Sequence, residues 1–244
     1  MLGILAAASL GAQSRAQSAN HQGCAPVPTG LSAWFTFDEE LFRKPGEHSP
    51  QRVPGMVGSA LKFNGKDQYV EIPASTPGLD MGEDDFTIEL WVRTASSLHT
   101  PSIVDKRDHA PLGYLIFLYQ GHPGIQVGNG ANPDAALAKS VSIAGNAWHH
   151  VAGVVKRLPP EQFVIYVDGV KQPEVSMYSA PLVNLDVPTP VWLGRHHANS
   201  YVPREDIYFE GEIDELSFYH RALTAAEIRS IFRAGSHGKC RPAR

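Results

Sequence analysis

Several things are scarce in this sequence. It holds only two cysteines, Cys24 and Cys240, among 244 residues. That excludes a cysteine-rich metal cluster and a dense disulfide scaffold. Basic residues do not outnumber acidic ones, and the formal net charge is −4. No polybasic run supplies the footprint that nucleic acid or an anionic membrane surface needs. Charged residues are a modest 19% and apolar residues 43%, too apolar for a disordered chain. A long hydrophobic run is also missing. Met1–Ala12 (MLGILAAASLGA) is the most apolar stretch, and it is shorter than the roughly 20 residues that span a bilayer. No phosphate-binding glycine loop and no linear Ser-His-Asp arrangement is visible.

What is present is an exported chain built of short strands. Met1–Ala12 followed by Ser14-Arg15-Ala16 has the form of a secretory signal with cleavage after Ala16, although no Lys or Arg precedes Leu2. Residues 1–16 are thus expected as a signal peptide, 17–30 as a linker, 31–235 as one domain and 236–244 as a tail. In an oxidising compartment Cys24 and Cys240 are expected to pair, since chain ends often lie side by side. The alternatives are a lipid anchor on Cys24 or two free thiols.

Past Ala25–Gly30 the pattern is β almost throughout. Phe86–Arg93 (FTIELWVR) alternates with period two, placing Phe86, Ile88, Leu90 and Val92 on one face. Short runs recur at 31–37, 61–63, 69–72, 102–105, 114–119, 125–127, 141–143, 148–155, 163–167, 191–193 and 212–219. Asp168-Gly169 after a β-branched run is a hairpin turn. Glycine (22) and proline (19) are frequent enough to serve the many turns. One helix breaks the pattern over about 225–233. Its capping box is Thr224-x-x-Glu227 and Gly235 is its stop signal. The expected class is all-β, an antiparallel two-sheet sandwich with one short C-terminal helix.

The order of motifs then carries a resemblance. Gly58-Ser-Ala-Leu-Lys-Phe-Asn-Gly65, Asp67–Ile72 and Asp85–Val92 are followed by Trp148-His-His-Val-Ala152 and Tyr166-Val-Asp-Gly169. Next come Leu193-Gly194, Phe209-Glu-Gly-Glu-Ile-Asp-Glu-Leu216 and Tyr219–Ile228. This series resembles the laminin G-like jelly-roll domains of the concanavalin A-like lectin and glucanase superfamily. The resemblance implies two packed antiparallel sheets. It also implies that function must be argued from loops and faces, since fold does not give function.

Three site readings follow. Glycosidases on this fold carry acidic residues two apart on one strand face. Glu212-Ile-Asp214 looks like the start of that pattern, but Leu216 and Ser217 stand where the second Glu belongs. By the period of two, Glu215 is expected on the opposite face. Related domains bind Ca²⁺ with hard oxygen ligands, which makes Asp38, at the end of the first strand, and Asp214 the expected structural calcium ligands. In the pentraxin pattern an Asp-Asn pair binds calcium. Here Asp108 matches and His109 replaces the Asn, while the loop Leu193–Asn199 is basic where that family is acidic. Those loops are therefore read as a ligand surface: Arg107, Asp108 and His109 beside Arg195, His196 and Asn199, whose planar donors suit sugar hydroxyls or carboxylates. The expected role is secreted, non-catalytic recognition of a glycan or an extracellular protein. The runners-up are an adhesion module with no small ligand and a glycoside hydrolase.

Overall fold

In the computed structural model the described residues are 23–39, 48–97, 100–110, 112–131, 133–157, 162–173, 175–177, 183–197 and 207–241. Residues 1–16, expected as the signal peptide, lie outside them, as does Asn199.

The strands are β1 (Leu31–Phe35), β2 (Gln51–Pro54), β3 (Ser59–Asn64), β4 (Val70–Ile72), β5 (Phe86–Arg93), β6 (Ser102–Arg107), β7 (Leu112–Tyr119) and β8 (His122–Asn129). They continue as β9 (Pro133–Leu137), β10 (Trp148–Lys156), β11 (Gln162–Val167), β12 (Val170–Lys171), β13 (Val175–Met177), β14 (Val191–Leu193) and β15 (Glu210–Tyr219). Helix α1 spans Ala225–Ala234. One sheet has eight strands in the order β12-β11-β10-β5-β15-β3-β2, with β1 also paired to β15. The other has seven, β13-β9-β8-β7-β6-β14-β4. All strand pairs are antiparallel.

The core lies between the sheets. The alternating residues Phe86, Ile88, Leu90 and Val92 face it as expected, meeting Ile116, Ile125, Val127 and Leu193 of the facing sheet. Gly153 marks how closely the sheets approach: a Cβ there would sit 2.6 Å from Ile125 Cδ1 and 2.9 Å from Ile116 Cδ1. The Asp168-Gly169 turn has φ of 52° and 73°, the positive pair that a type I′ hairpin requires.

A second, smaller cluster lies on the outer face of the eight-stranded sheet. There α1 lays Ile228, Ile231 and Ala234 on Ala152, Val154, Val164 and Tyr166. Thr224 and Glu227 form the expected reciprocal capping box. Trp91 packs under Phe232, centroids 5.9 Å apart, as a structural aromatic. Cys24 and Cys240 form a disulfide, as expected.

One expected strand is absent, and four short strands, β2, β9, β12 and β13, lie outside the expected runs. Val141–Ile143 is not a strand. Its amides join no strand ladder: Val141 N donates to Ala138 O and Ile143 N to Gly121 O, so the apolar run buries Ile143 from a loop. Conversely β2, exposed and ending in Pro54, carries no apolar alternation to announce it, as suits an edge strand.

Candidate functional site

The acidic strand β15 behaves differently from its sequence pattern. Its pairing with β5 shifts register between Asp214 and Ser217. Glu215 sits at the shift with φ of 54°, a left-handed conformation unusual for a non-glycine residue. This bulge inserts one residue, so Glu215 does not turn to the core as the period of two required. It stands on the outer side with its neighbours: its Oε2 accepts from Trp34 Nε1 at 3.1 Å and lies 3.4 Å from Lys239 Nζ. Leu216 takes the inward position instead.

Each of these carboxylates is engaged by a neighbour. Glu212 is ion-paired with Arg93, whose guanidinium also lies 5.0 Å from the Trp148 ring. Asp214 is fully buried, and its Oδ2 accepts the Val57 amide at 2.9 Å. Burial, reinforced by the nearby charges of Glu215 and Asp38, raises its pKa to about 7. Glu215 lies beneath Lys239. The fold offers no open pair of carboxylates at this strand.

Asp38 and Asp214 approach the same β2–β3 turn. Asp38 Oδ1 accepts from Ser59 N at 2.8 Å and Asp38 Oδ2 pairs with Arg241. Gly55 lies so close that a Cβ would be 2.5 Å from Asp214 Oδ2. These carboxylates pin a turn through its amides. A guanidinium stands against Asp38 where a dication would have to sit, so the donor set does not fit Ca²⁺. Among the described residues no group of three or more His, Cys, Asp or Glu is placed to hold a metal ion.

The predicted ligand residues divide into three groups. Arg107 and His196 do meet, on the outer face of the seven-stranded sheet, but both are buried. Asp105, which the sequence reading passed over, organises them. Arg107 donates to Asp105 from Nε at 2.8 Å and from Nη2 at 2.6 Å, and to Gln126 Oε1 from Nη1 at 3.1 Å. Ser102 Oγ donates to Asp105 Oδ2 at 3.0 Å, and His197 N does so at 3.1 Å. His196 Nδ1 lies 3.3 Å from Arg107 Nη2. Ser102, His196 and Asp105 are thus brought together by the fold. They are not a catalytic relay, because Ser102 Oγ and Asp105 Oδ2 both approach the same ring nitrogen, at 3.1 and 3.7 Å. A relay puts hydroxyl and carboxylate on opposite nitrogens. The cluster clamps the segment after β14 onto the sheet.

Asp108 folds its own loop, its Oδ1 accepting from Ala110 N at 2.9 Å and Leu112 N at 3.0 Å. His109 is exposed beside it.

Arg195 holds a different position. Its guanidinium lies 4.2 Å from the Trp192 ring centre, 4.7 Å from Tyr69 and 6.0 Å from Tyr208. His197 stacks on the same indole, centroids 3.6 Å apart and planes 10° from parallel. Two groups so close to one ring must take its opposite faces, so Trp192 is sandwiched between His197 and Arg195. The Tyr69 ring lies 6.0 Å from Trp192 and 6.5 Å from Tyr208, and His48 stacks beyond Tyr69 at 6.5 Å. Tyr69, Trp192, Arg195 and Tyr208 are all half-buried. The result is a surface patch of rings around one guanidinium at the β4–β14 edge. Its tyrosines were missed because Tyr69 and Tyr208 are 139 positions apart in numbering and each alone reads as a strand-edge aromatic.

This architecture, with both outer faces dressed by loops, a helix and a polar cluster, is that of a lectin-type jelly roll. A family model described as the concanavalin A-like lectin/glucanases superfamily matches residues 64–229, and the chain belongs to that family. Its fold is similar to the binding domain of Paraclostridial Mosquitocidal Protein 1, with TM-score 0.60, 18% identity, and coverage of 75% of this chain and 45% of that one. The chain therefore spans less than half the length of that domain. It is also similar to domain 4 of AbnA, an extracellular arabinanase from Geobacillus stearothermophilus solved with arabinotriose: TM-score 0.57, 19% identity, 82% of this chain and 97% of that one. A third is the CBM40 of Ruminococcus gnavus IT-sialidase bound to α2,3-sialyllactose: TM-score 0.56, 13% identity, 71% of this chain and 96% of that one. At these identities the likeness is one of fold. No curated protein sequence matches the chain.

Proposed function

We propose that this protein is an extracellular, non-catalytic glycan-binding module, and that the ring patch around Arg195 is its ligand surface. The observation that carries the reading is the placement of Arg195 among Tyr69, Trp192 and Tyr208, with Trp192 paired across the strands with Asp105 of the buried clamp. Rings that hold a guanidinium in one plane lower the ordering cost of its hydrogen bonds to hydroxyls or carboxylates. Tyrosine faces suit the apolar side of a sugar ring. The family membership and the glycan-complexed structures of similar fold support recognition over chemistry. The disulfide is consistent with an extracellular, oxidising setting. Among the described residues no helix is long and apolar enough to cross a membrane.

The test is a glycan array with the intact protein and with Arg195→Ala. A sugar signal lost in the variant, with melting temperature unchanged, supports the reading. An empty array alongside specific retention of an extracellular protein would make this an adhesion module. Turnover on a polysaccharide panel that disappears in Glu212→Gln would make it a hydrolase.

A further inference from the structure

The C-terminal residues Gly238–Arg241 cross the outer face of the eight-stranded sheet. Three attachments hold them. Backbone bonds run from Ala25 N to Gly238 O at 2.8 Å and from Cys240 N to Ala25 O at 2.7 Å, forming a parallel bridge. The Cys24–Cys240 disulfide closes the same contact covalently. Lys239, buried to 3% exposure, puts its Nζ 2.8 Å from Glu89 Oε1 and 3.4 Å from Glu215 Oε2, and 4.9 Å from the Trp34 ring centre.

The two carboxylates need that ammonium. Glu89 on β5 and Glu215 on β15 are both buried and belong to adjacent strands. Around Glu89 stand Lys239, His150 Nε2 at 2.9 Å and Tyr219 Oη at 3.4 Å. Glu215 is faced by Lys239, by Arg241 at 3.4 Å and by the Trp34 indole, with Glu89 and Asp214 as nearby acids. Among the described residues Lys239 is the cation bonded to both, and its position depends on a segment tethered by the disulfide. Among the described residues, Cys24 also lines a cleft of about 370 Å³ with Ala226, Arg229, Ser230 and Arg233, and both cysteines are only half-buried, so a small reductant can reach the bond.

We propose that Gly238–Arg241 is a thiol-sensitive strap: the disulfide keeps Lys239 between Glu89 and Glu215, and reduction lets it withdraw, leaving two buried carboxylates facing one another. A thiol reductant supplies two electrons and two protons. The S–S bond breaks, Cys24 and Cys240 become thiols, and two reductant thiols leave as one disulfide. The loss of the cation then loosens the β1–β15–β5 face beneath it, because an unpaired buried charge is costly.

The experiment compares wild type and Lys239→Met by thermal melting at pH 5 and pH 8, with and without a phosphine, whose phosphorus attacks one sulfur and expels the other as a thiol before water converts the thiophosphonium to phosphine oxide and the second thiol. Reduction should lower the wild-type melting temperature more at pH 8 than at pH 5, since two buried carboxylates that have lost their cation and face each other take up a proton as pH falls. In Lys239→Met the pH 8 drop should be less than half as large. Below the transition, reduction should shift the Trp34 emission, a change absent in Trp34→Phe. Equal drops in both proteins and at both pH values would overturn the proposal, leaving the disulfide as a pure loop constraint. An unchanged Trp34 emission would overturn it too. Should Lys239→Met not fold, the wild-type pH comparison and Trp34 emission decide alone.

Discussion

Lys239 Nζ donates to Glu89 Oε1 at 2.8 Å across a sequence separation of 150 residues. Burial by itself would push the Glu89 carboxyl up. Lys239 and His150 outweigh that penalty and hold it at about 2, against 4.5 for an ordinary glutamate. Because the folded pKa is depressed, the pair's stabilisation is fully present above the unfolded value of about 4.5. It is lost as pH falls toward 2. Urea melts between pH 2 and pH 6 should show stability dropping on the acid side. Glu89→Gln should flatten that segment, at a cost at pH 7 of about 3–5 kcal/mol for stranding Lys239.

Asp214 predicts the opposite slope. Its folded pKa is raised to about 7, while the unfolded carboxyl titrates near 3.8. Between those values the folded state binds more protons, so stability falls as pH rises from about 4 to about 7. Asp214→Asn keeps an oxygen for the Val57 amide and removes the titration. Its stability curve should be flatter across this window, with a gain of up to about 4 kcal/mol above pH 7 if no other loss intervenes. A curve parallel to wild type would show that Asp214 stays ionised.

The clamp and the patch should separate by mutation. Asp105→Ala removes the acceptor shared by Arg107, Ser102 and His197 N and leaves a buried guanidinium unpaired. We expect a loss of about 3–5 kcal/mol in denaturant melts. Tyr69→Ala, on the half-buried surface, should cost about 1 kcal/mol or less while weakening glycan binding at least tenfold, read by calorimetry.

Calcium should not matter at Asp38 and Asp214. Arg241 already compensates Asp38, and the peptide amides of Ser59 and Val57 use one oxygen of each carboxylate. The melting temperature should be the same in EDTA and in millimolar Ca²⁺. A rise with calcium would show that the ion displaces Arg241.

How far the sequence could be read differs between fold and site. Phe86–Arg93 announces its two faces because a strand with one side in the core must alternate, and Thr224–Glu227 announces a helix start because both capping groups are local. The same local logic misplaced Glu215, since a bulge is set by pairing with another strand and not by the residues of β15 alone. Arg107 and His196, read as ligand-surface residues, meet in the structure as a buried clamp. Asp105 joins them because residues 105 and 107 share a strand face of β6, a period-two relation that the run 102–105 stops short of.

The all-β class, the helix cap and the turn chemistry follow from the sequence itself, because each depends on near neighbours or on composition. What only the tertiary structure decided is which polar groups meet. Lys239 reaches Glu89, Arg241 reaches Asp38, and Tyr69 and Tyr208 flank Arg195. Each contact joins segments far apart in the chain, and whether a charge serves as clamp, strap or ligand surface depends on what the packed sheets leave beside it.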